Sequence, residues 1–295
     1  MKQITLEKYH CMGNDYLVYD PNKNELNPGK ESIRRICDRH FGAGADGVLA
    51  GPYLDQDKMY VRIFNADGSE AEKSGNGMGI FAKYLRDAGY VQKTSVSWMT
   101  LSGEENIFYL NEEGSRVKIS MGRPTFWSDE IPVTGERREM VNQTMVFGKI
   151  PYVTTCLSIG NPHCVIWMND ISRELVCRIG EHSEEAECFP EKVNTQLLNV
   201  LDRTNIQIEI YERGVGYTLA SGSCACAAAC AAFKLGLADN KMYVHMPGGV
   251  LEVEIRDDGQ VYMVGEVGYV GKIVLGNDLC ESLRAGEAAR QGKAD

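Results

Sequence analysis

Two serines stand in the same local setting, 147 positions apart: Ser74-Gly75-Asn76-Gly77 opens one apolar helical run, and Ser221-Gly222-Ser223-Cys224 opens another. Serine is a preferred helix N-cap, and a neighbouring glycine permits a tight entry turn, so a single copy reads as capping. The repetition asks for more. At the same offset Gly13-Asn14 falls on Gly160-Asn161, Phe64 on Tyr211, Asn65 on Glu212 and Gly89 on Gly236. A duplicated half that keeps its loops in register implies two lobes closing around one ligand. Each lobe then offers one side chain to an opposite face. Chemistry that needs groups on both faces of one carbon is racemisation or epimerisation.

The helix entrances suit that chemistry. The first N–H groups of a helix are unpaired and carry partial positive charge. Two such termini bind a carboxylate and stabilise the extra charge when its α-carbon loses a proton. A phosphate would use the same amides, but the Walker lysine pattern is absent. Asn14 and Asn161 each follow a glycine, which on turn chemistry alone makes them Asx caps. Glu212 and Arg213 put opposite charges side by side at a strand end. They form either a surface ion pair, worth about 0–1 kcal/mol, or a grip in which Arg213 forks a carboxylate and Glu212 takes an ammonium. His163 is either a satisfied loop histidine or a group that tunes a nearby acid or base.

The elements that position these residues are mostly strands. Alternation marks Tyr60–Phe64, Asn205–Tyr211 and Val250–Ile255, and Asp257-Asp258-Gly259 between two such runs predicts a hairpin. One helix is expected near Ser32–Arg39, and one after each Ser-Gly motif, ending at Gly89 and Gly236. Alanines occupy six positions between 225 and 232, so the second of these must be enclosed tightly on every side, as inside a curled sheet. The expected lobes are 1–120 with 270–295, and 121–269, meeting at the Gly/Pro break after Ser120. The polar, small-residue tail from Arg284 is expected to fray.

Bulk composition narrows the class. With 295 residues, 43% hydrophobic and 24% charged, the chain suits two globular domains. A net charge of −10 without a basic stripe argues against nucleic acid. No run is long and apolar enough to span a bilayer and the N-terminus lacks a signal-peptide core, so a cytoplasmic location without membrane partners is expected. Ten scattered cysteines read as free thiols, with Cys224, Cys226 and Cys230 as small helix residues. No metal is expected, since paired CxxC motifs are missing and the five histidines are dispersed. No cofactor is expected either. Pyridoxal would duplicate the work of paired helix termini, and neither motif contains a lysine; Lys73 precedes Ser74, and in extended chain its side chain points away.

At these residues the sequence resembles the diaminopimelate epimerases. The resemblance runs through Gly13-Asn14-Asp15-Tyr16, the stretch from Cys37 to Gly47, Phe64 to Glu70, Gly75-Asn76-Gly77, Gly160-Asn161-Pro162-His163, Tyr211-Glu212-Arg213-Gly214 and Pro247-Gly248-Gly249. It implies an α/β (α+β) fold of two pseudo-symmetric lobes, each a curled, mostly antiparallel sheet or barrel around a central helix. It also implies cofactor-free two-base inversion between LL- and meso-diaminopimelate, serving lysine and cell-wall supply, by a homodimer. By position, Asn14, Asn65, Asn161, Asn194, Glu212 and Arg213 would contact the substrate. Gly75, Asn76, Gly222 and Ser223 would hold its reacting end, and His163 and Glu212 would adjust the acidity of the catalytic pair.

The family carries its two catalytic cysteines where this chain has Ser74 and Ser221. A thiol of reference pKa about 8.5 ionises readily at a helix N-terminus, whereas a serine hydroxyl is a far weaker acid and a poor unaided base. The paired replacement points to a form disarmed to trap substrate, ahead of a relative with altered chemistry. Gly47 is a milder departure, lying where some members place a glutamine that reaches the substrate. The rival readings are a racemase for another amino acid on the same fold, a serine-using lyase of the proline-racemase type, and an amino-acid-binding pseudoenzyme.

Overall fold

A computed structural model describes residues 3–56, 58–72 and 74–291; the expectation for Lys73 lies outside the described residues. The chain divides into two compact units, Met1–Ile119 with Gly265–Asp295, and Ser120–Val264.

The elements of the first half are β1 (Thr5–Cys11), β2 (Asn14–Tyr19), α1 (Lys30–Cys37), β3 (Gly47–Asp55), β4 (Lys58–Asn65), β5 (Glu70–Ala71), α2 (Gly75–Asp87), β6 (Ser95–Thr100), β7 (Gly103–Tyr109) and β8 (Arg116–Gly122). Those of the second are β9 (Gln143–Phe147), β10 (Ile150–Ser158), β11 (Pro162–Trp167), α3 (Arg173–Glu184), β12 (Asn194–Asp202), β13 (Asn205–Glu212), β14 (Gly216–Thr218), α4 (Gly222–Lys234), β15 (Lys241–Met246), β16 (Gly249–Ile255), β17 (Val261–Val274) and α5 (Asn277–Gln291). The offset of 147 carries β3 onto β12, β4 onto β13 and α2 onto α4, residue for residue. The Asp257-Asp258-Gly259 turn joins the antiparallel pair β16 and β17, with Gly259 at φ +81°.

In the first unit, β1, β2, β3, β4, β6, β7 and β8 pair in that order, and the later part of β17 joins both β1 and β8. Eight strands thus close into a barrel. The β2–β3 and β4–β6 pairs are parallel, and the other pairs with an assigned register are antiparallel. Closure gives each of these eight strands a neighbour on both sides. α2 fills the axis, with Asn76 to Ala82 all buried. On the outside, α1 and α5 pack Ile33, Ile36, Cys280 and Leu283 onto Leu6, Leu17 and Val48.

The second unit repeats the order β10, β11, β12, β13, β15, β16, β17, with parallel β11–β12 and β13–β15 pairs. Its axial helix is α4, whose residues Cys224 to Ala232 are all buried, as the alanine run requires. α3 covers the outside with Val176 and Ile179. The enclosed alanine helix and the curled, mostly antiparallel sheets are as expected from the sequence.

Three helix expectations need correction. α1 begins and ends two residues earlier than Ser32–Arg39. It stops at Cys37 because the Asp38 carboxylate turns back to accept the N–H groups of His40 and Phe41. α3, capped by Ser172, was not foreseen; it is the counterpart of α1 in the second half, where Gly180 obscured the apolar period. Against the expectation of a frayed tail, α5 is helical as far as Gln291, and residues 292–295 lie outside the described residues. Leu279, Cys280 and Leu283 anchor its first turns on the core.

Candidate active site

In the first unit, Ser74 has extended backbone (φ −145°, ψ 112°) and caps α2, its Oγ accepting the Gly77 N–H at 3.1 Å. Gly77 allows this approach, since a Cβ there would lie 3.0 Å from Ser74 Oγ. Beside it, Asn76 Nδ2 donates to Asn14 Oδ1 at 3.2 Å, and Asn14 Nδ2 donates to Asp46 at 2.9 Å. Asp46 is itself held by Arg39 at 2.7 Å. Arg39 also grips Asp15, which takes Lys8 as well. Burial alone would raise the Asp15 carboxyl, but the hydrogen bonds from Arg39 and Lys8 win and hold it at about 2. Asn14 is therefore clamped from both ends. Asn76 Oδ1 is buried and makes no hydrogen bond among the described residues.

Asn65 stands slightly apart, its amide donating to Ser69 Oγ at 2.9 Å. The barrel register nevertheless sets Tyr16, Gly47 and Asn65 side by side across β2, β3 and β4.

The second unit repeats the row. His163 lies beside Asn194 across β11 and β12, and Glu212 ends β13 next to Tyr211, the partner of Thr195. Asn194 Nδ2 donates to the Pro162 carbonyl, and its Oδ1 accepts the Arg213 N–H at 3.0 Å. The Arg213 guanidinium donates to the Glu191 carbonyl at 3.0 Å. Glu212 accepts the Thr218 hydroxyl at 2.7 Å. Asn161 Oδ1 lies 2.8 Å from His163 Nε2.

Ser221 copies the backbone of Ser74 (φ −148°, ψ 126°), but its side chain accepts no capping N–H from the helix. Its Oγ lies 3.4 Å from Ser223 Oγ. Where the first unit has Gly77, this one has Cys224, whose side chain takes the space over the helix entrance. Cys224 Sγ accepts from Gln196 Nε2 at 3.2 Å. Burial, then the Glu212 charge, pushes the Cys224 thiol well up, partly offset by the hydroxyls of Ser221 and Ser223 and by Gln196.

His163 is fully buried, and burial pushes its imidazole down to about 3, despite a partly offsetting interaction with Gln196. It is neutral at physiological pH. The sign for stability follows. Below about 6.5 the unfolded chain takes up a proton that the folded chain refuses until about 3, so folding stability falls as pH drops through that window, by up to about 1.4 kcal/mol per pH unit. We expect the thermal midpoint to decline between pH 6.5 and 4, and His163→Gln to flatten that decline. Equal slopes in a melting series of both proteins would exclude His163 as the cause.

The structure thus gathers Asn14, Ser74, Gly75 and Asn76 at one helix entrance, and Asn161, His163, Asn194, Glu212, Arg213 and the entrance residues Ser221, Gly222 and Ser223 in the other unit. Three neighbours were not singled out from the sequence: Tyr16, Gln196 and Asp46. The offset was the available signal for two of them, pairing Tyr16 with His163 and Leu49 with Gln196.

Each unit is thus a strand barrel around an axial helix, with a serine at the N-cap position of that helix. The family described as diaminopimelate epimerase matches residues 6–127 and 155–270. A relative named diaminopimelate epimerase 2, from Nostoc sp., is 45% identical over 88% of this chain and 91% of its own length. The diaminopimelate epimerase of Halothermothrix orenii is 37% identical over 92% and 99%. Among solved structures, a probable proline racemase from Agrobacterium radiobacter superposes with a TM-score of 0.66 over 93% of both chains at 14% identity, which shows the shared fold. The chain belongs to the diaminopimelate epimerase family, and it is an isomerase. Among the described residues, no helix is long and apolar enough to cross a membrane.

Proposed function

We propose that this chain binds diaminopimelate and inverts one stereocentre between the LL and meso forms without a cofactor, Ser74 and Ser221 each serving as one acid–base position. The observation that carries this reading is the equivalence of the two serines. Each is the extended residue ahead of a buried axial helix, at matching positions of a duplicated barrel.

One position removes the α-proton while the other delivers a proton to the opposite face, and the helix-entry N–H groups of Gly75, Asn76, Gly222 and Ser223 take the carboxylate on which charge builds. Asn14, Asn65, Asn161 and Asn194 orient the substrate. Glu212 and Arg213 receive its far ammonium and carboxylate, which selects a diamino diacid over a simple amino acid. Arg213 donates one N–H to Glu191 and keeps further donors for a carboxylate. His163, neutral, and Glu212 adjust the acidity of the pair. With hydroxyls at both positions, turnover is very slow and binding persists. The working form is a cytoplasmic homodimer.

Calorimetry with diaminopimelate tests the binding half. We expect saturable binding to the chain as it stands, weakened about 10–100-fold by Arg213→Ala, the loss of a charge-assisted hydrogen-bond pair. Tighter binding of a monocarboxylic amino acid would overturn the substrate. That outcome belongs to the second reading, a racemase for another amino acid, which Gly47 favours by offering no side chain to the substrate.

A further inference from the structure

Ser74 has a second partner besides its helix. The Tyr16 phenol oxygen lies 3.2 Å from Ser74 Oγ, and the residue that carries it is 6% exposed. Its ring occupies the space beside Gly47, where a Cβ would stand 2.5 Å from Cε1 and 3.0 Å from Cδ1. Glycine at 47 is therefore what seats the phenol. The duplicated position in the other unit is His163, so both copies put a proton-carrying ring at the same point of the barrel.

We propose that Tyr16 is the positioning and proton-supplying residue of the first half-site, acting on the substrate through Ser74. This rests on the epimerase reading of Ser74. A hydroxyl has two acceptor lone pairs and one donor proton. The Gly77 N–H occupies one lone pair of Ser74 Oγ; in the proposed arrangement the Tyr16 O–H donates into the other, so that the serine's own proton points at the substrate. In the delivering direction the Ser74 O–H bond breaks and its proton forms the new C–H bond on the α-carbon, whose former proton has left to the base on the opposite face. Ser74 Oγ then takes the Tyr16 proton, and the phenolate is reprotonated by water. The relay runs downhill at that step, because a phenol of reference pKa about 10 is a stronger acid than an aliphatic hydroxyl. A phenol also comes close to the acidity of the thiol that the family uses at position 74.

Deuterium wash-in at the α-carbon of diaminopimelate is the first readout, in the Ser221→Cys protein so that one strong base is present. Tyr16→Phe should lower it about 100-fold there, the scale of general acid catalysis, and less than about 10-fold once Ser74→Cys is added. The alkaline limb of the pH profile should move down when 3-fluorotyrosine replaces Tyr16, which a packing role would not cause. A second readout needs no substrate. In the Ser74→Cys protein the phenol hydrogen-bonds the thiolate, so Tyr16→Phe should slow iodoacetamide alkylation at position 74 about tenfold at pH 7, one pKa unit. Equal exchange losses in both backgrounds, or an unchanged alkylation rate, overturns the proposal. Absence of exchange in every variant, together with the alkylation effect, overturns the diaminopimelate reading and leaves the Tyr16 pairing standing.

Discussion

Ser74→Cys combined with Ser221→Cys raises α-hydrogen exchange of diaminopimelate by about 10³-fold or more over the parent chain, the range that two positioned acid–base groups supply. A thiol at a helix N-terminus loses its proton within reach of neutral pH, because the unpaired N–H groups stabilise the thiolate. A serine hydroxyl in the same place stays protonated. The two single replacements should each recover much less than the double, since inversion needs a base and an acid together and such pairs are strongly non-additive. They should also differ from each other. A thiol at position 74 inherits the Gly77 N–H and the Tyr16 phenol, whereas one at position 221 meets the buried Cys224 thiol and no capping amide. Deuterium incorporation measured by mass spectrometry reads all three. No recovery in the double variant with diaminopimelate or any other amino acid would remove the epimerase reading.

Gly47→Gln destabilises the chain by about 1–3 kcal/mol, the usual cost of overpacking, and eliminates whatever exchange the protein retains. The reason is geometric. A Cβ at 47 would sit 2.3 Å from the Phe64 carbonyl oxygen as well as 2.5 Å from the Tyr16 ring. The ring is able to swing aside, but the carbonyl belongs to the neighbouring strand β4 and cannot. Tyr16→Ala, which removes the ring and leaves the carbonyl, therefore should not rescue the variant, and denaturant melts of the single and double mutants compare the two. A stable Gly47→Gln protein with intact exchange would show that the substrate-reaching glutamine of some relatives transplants directly, against the packing seen here.

Much of this molecule was legible in the chain. The alternation in Tyr60–Phe64 and Asn205–Tyr211, the Asp257-Asp258-Gly259 turn and the capped helices all rest on local preferences, and each appears in place. The α4 alanines demanded enclosure, and a barrel encloses them. Where reading failed, long-range packing had the deciding influence. α5 is helical because Leu279, Cys280 and Leu283 dock on a core built from strands far away in sequence. α3 hides its period behind Gly180, where a Cβ would strike the Tyr211 ring at 2.2 Å.

By itself the sequence determined the duplication, the two serine-capped helix entrances and the family, because repeat offset, capping residues and apolar period are properties of neighbouring positions along the chain. Tertiary structure alone decided which side chains meet at those entrances. Packing of the axial helix inside its barrel brings Tyr16 of β2 to Ser74 across 58 positions and Gln196 of β12 to Cys224 of α4 across 28, and which strand faces which helix position depends on segments far apart in the chain.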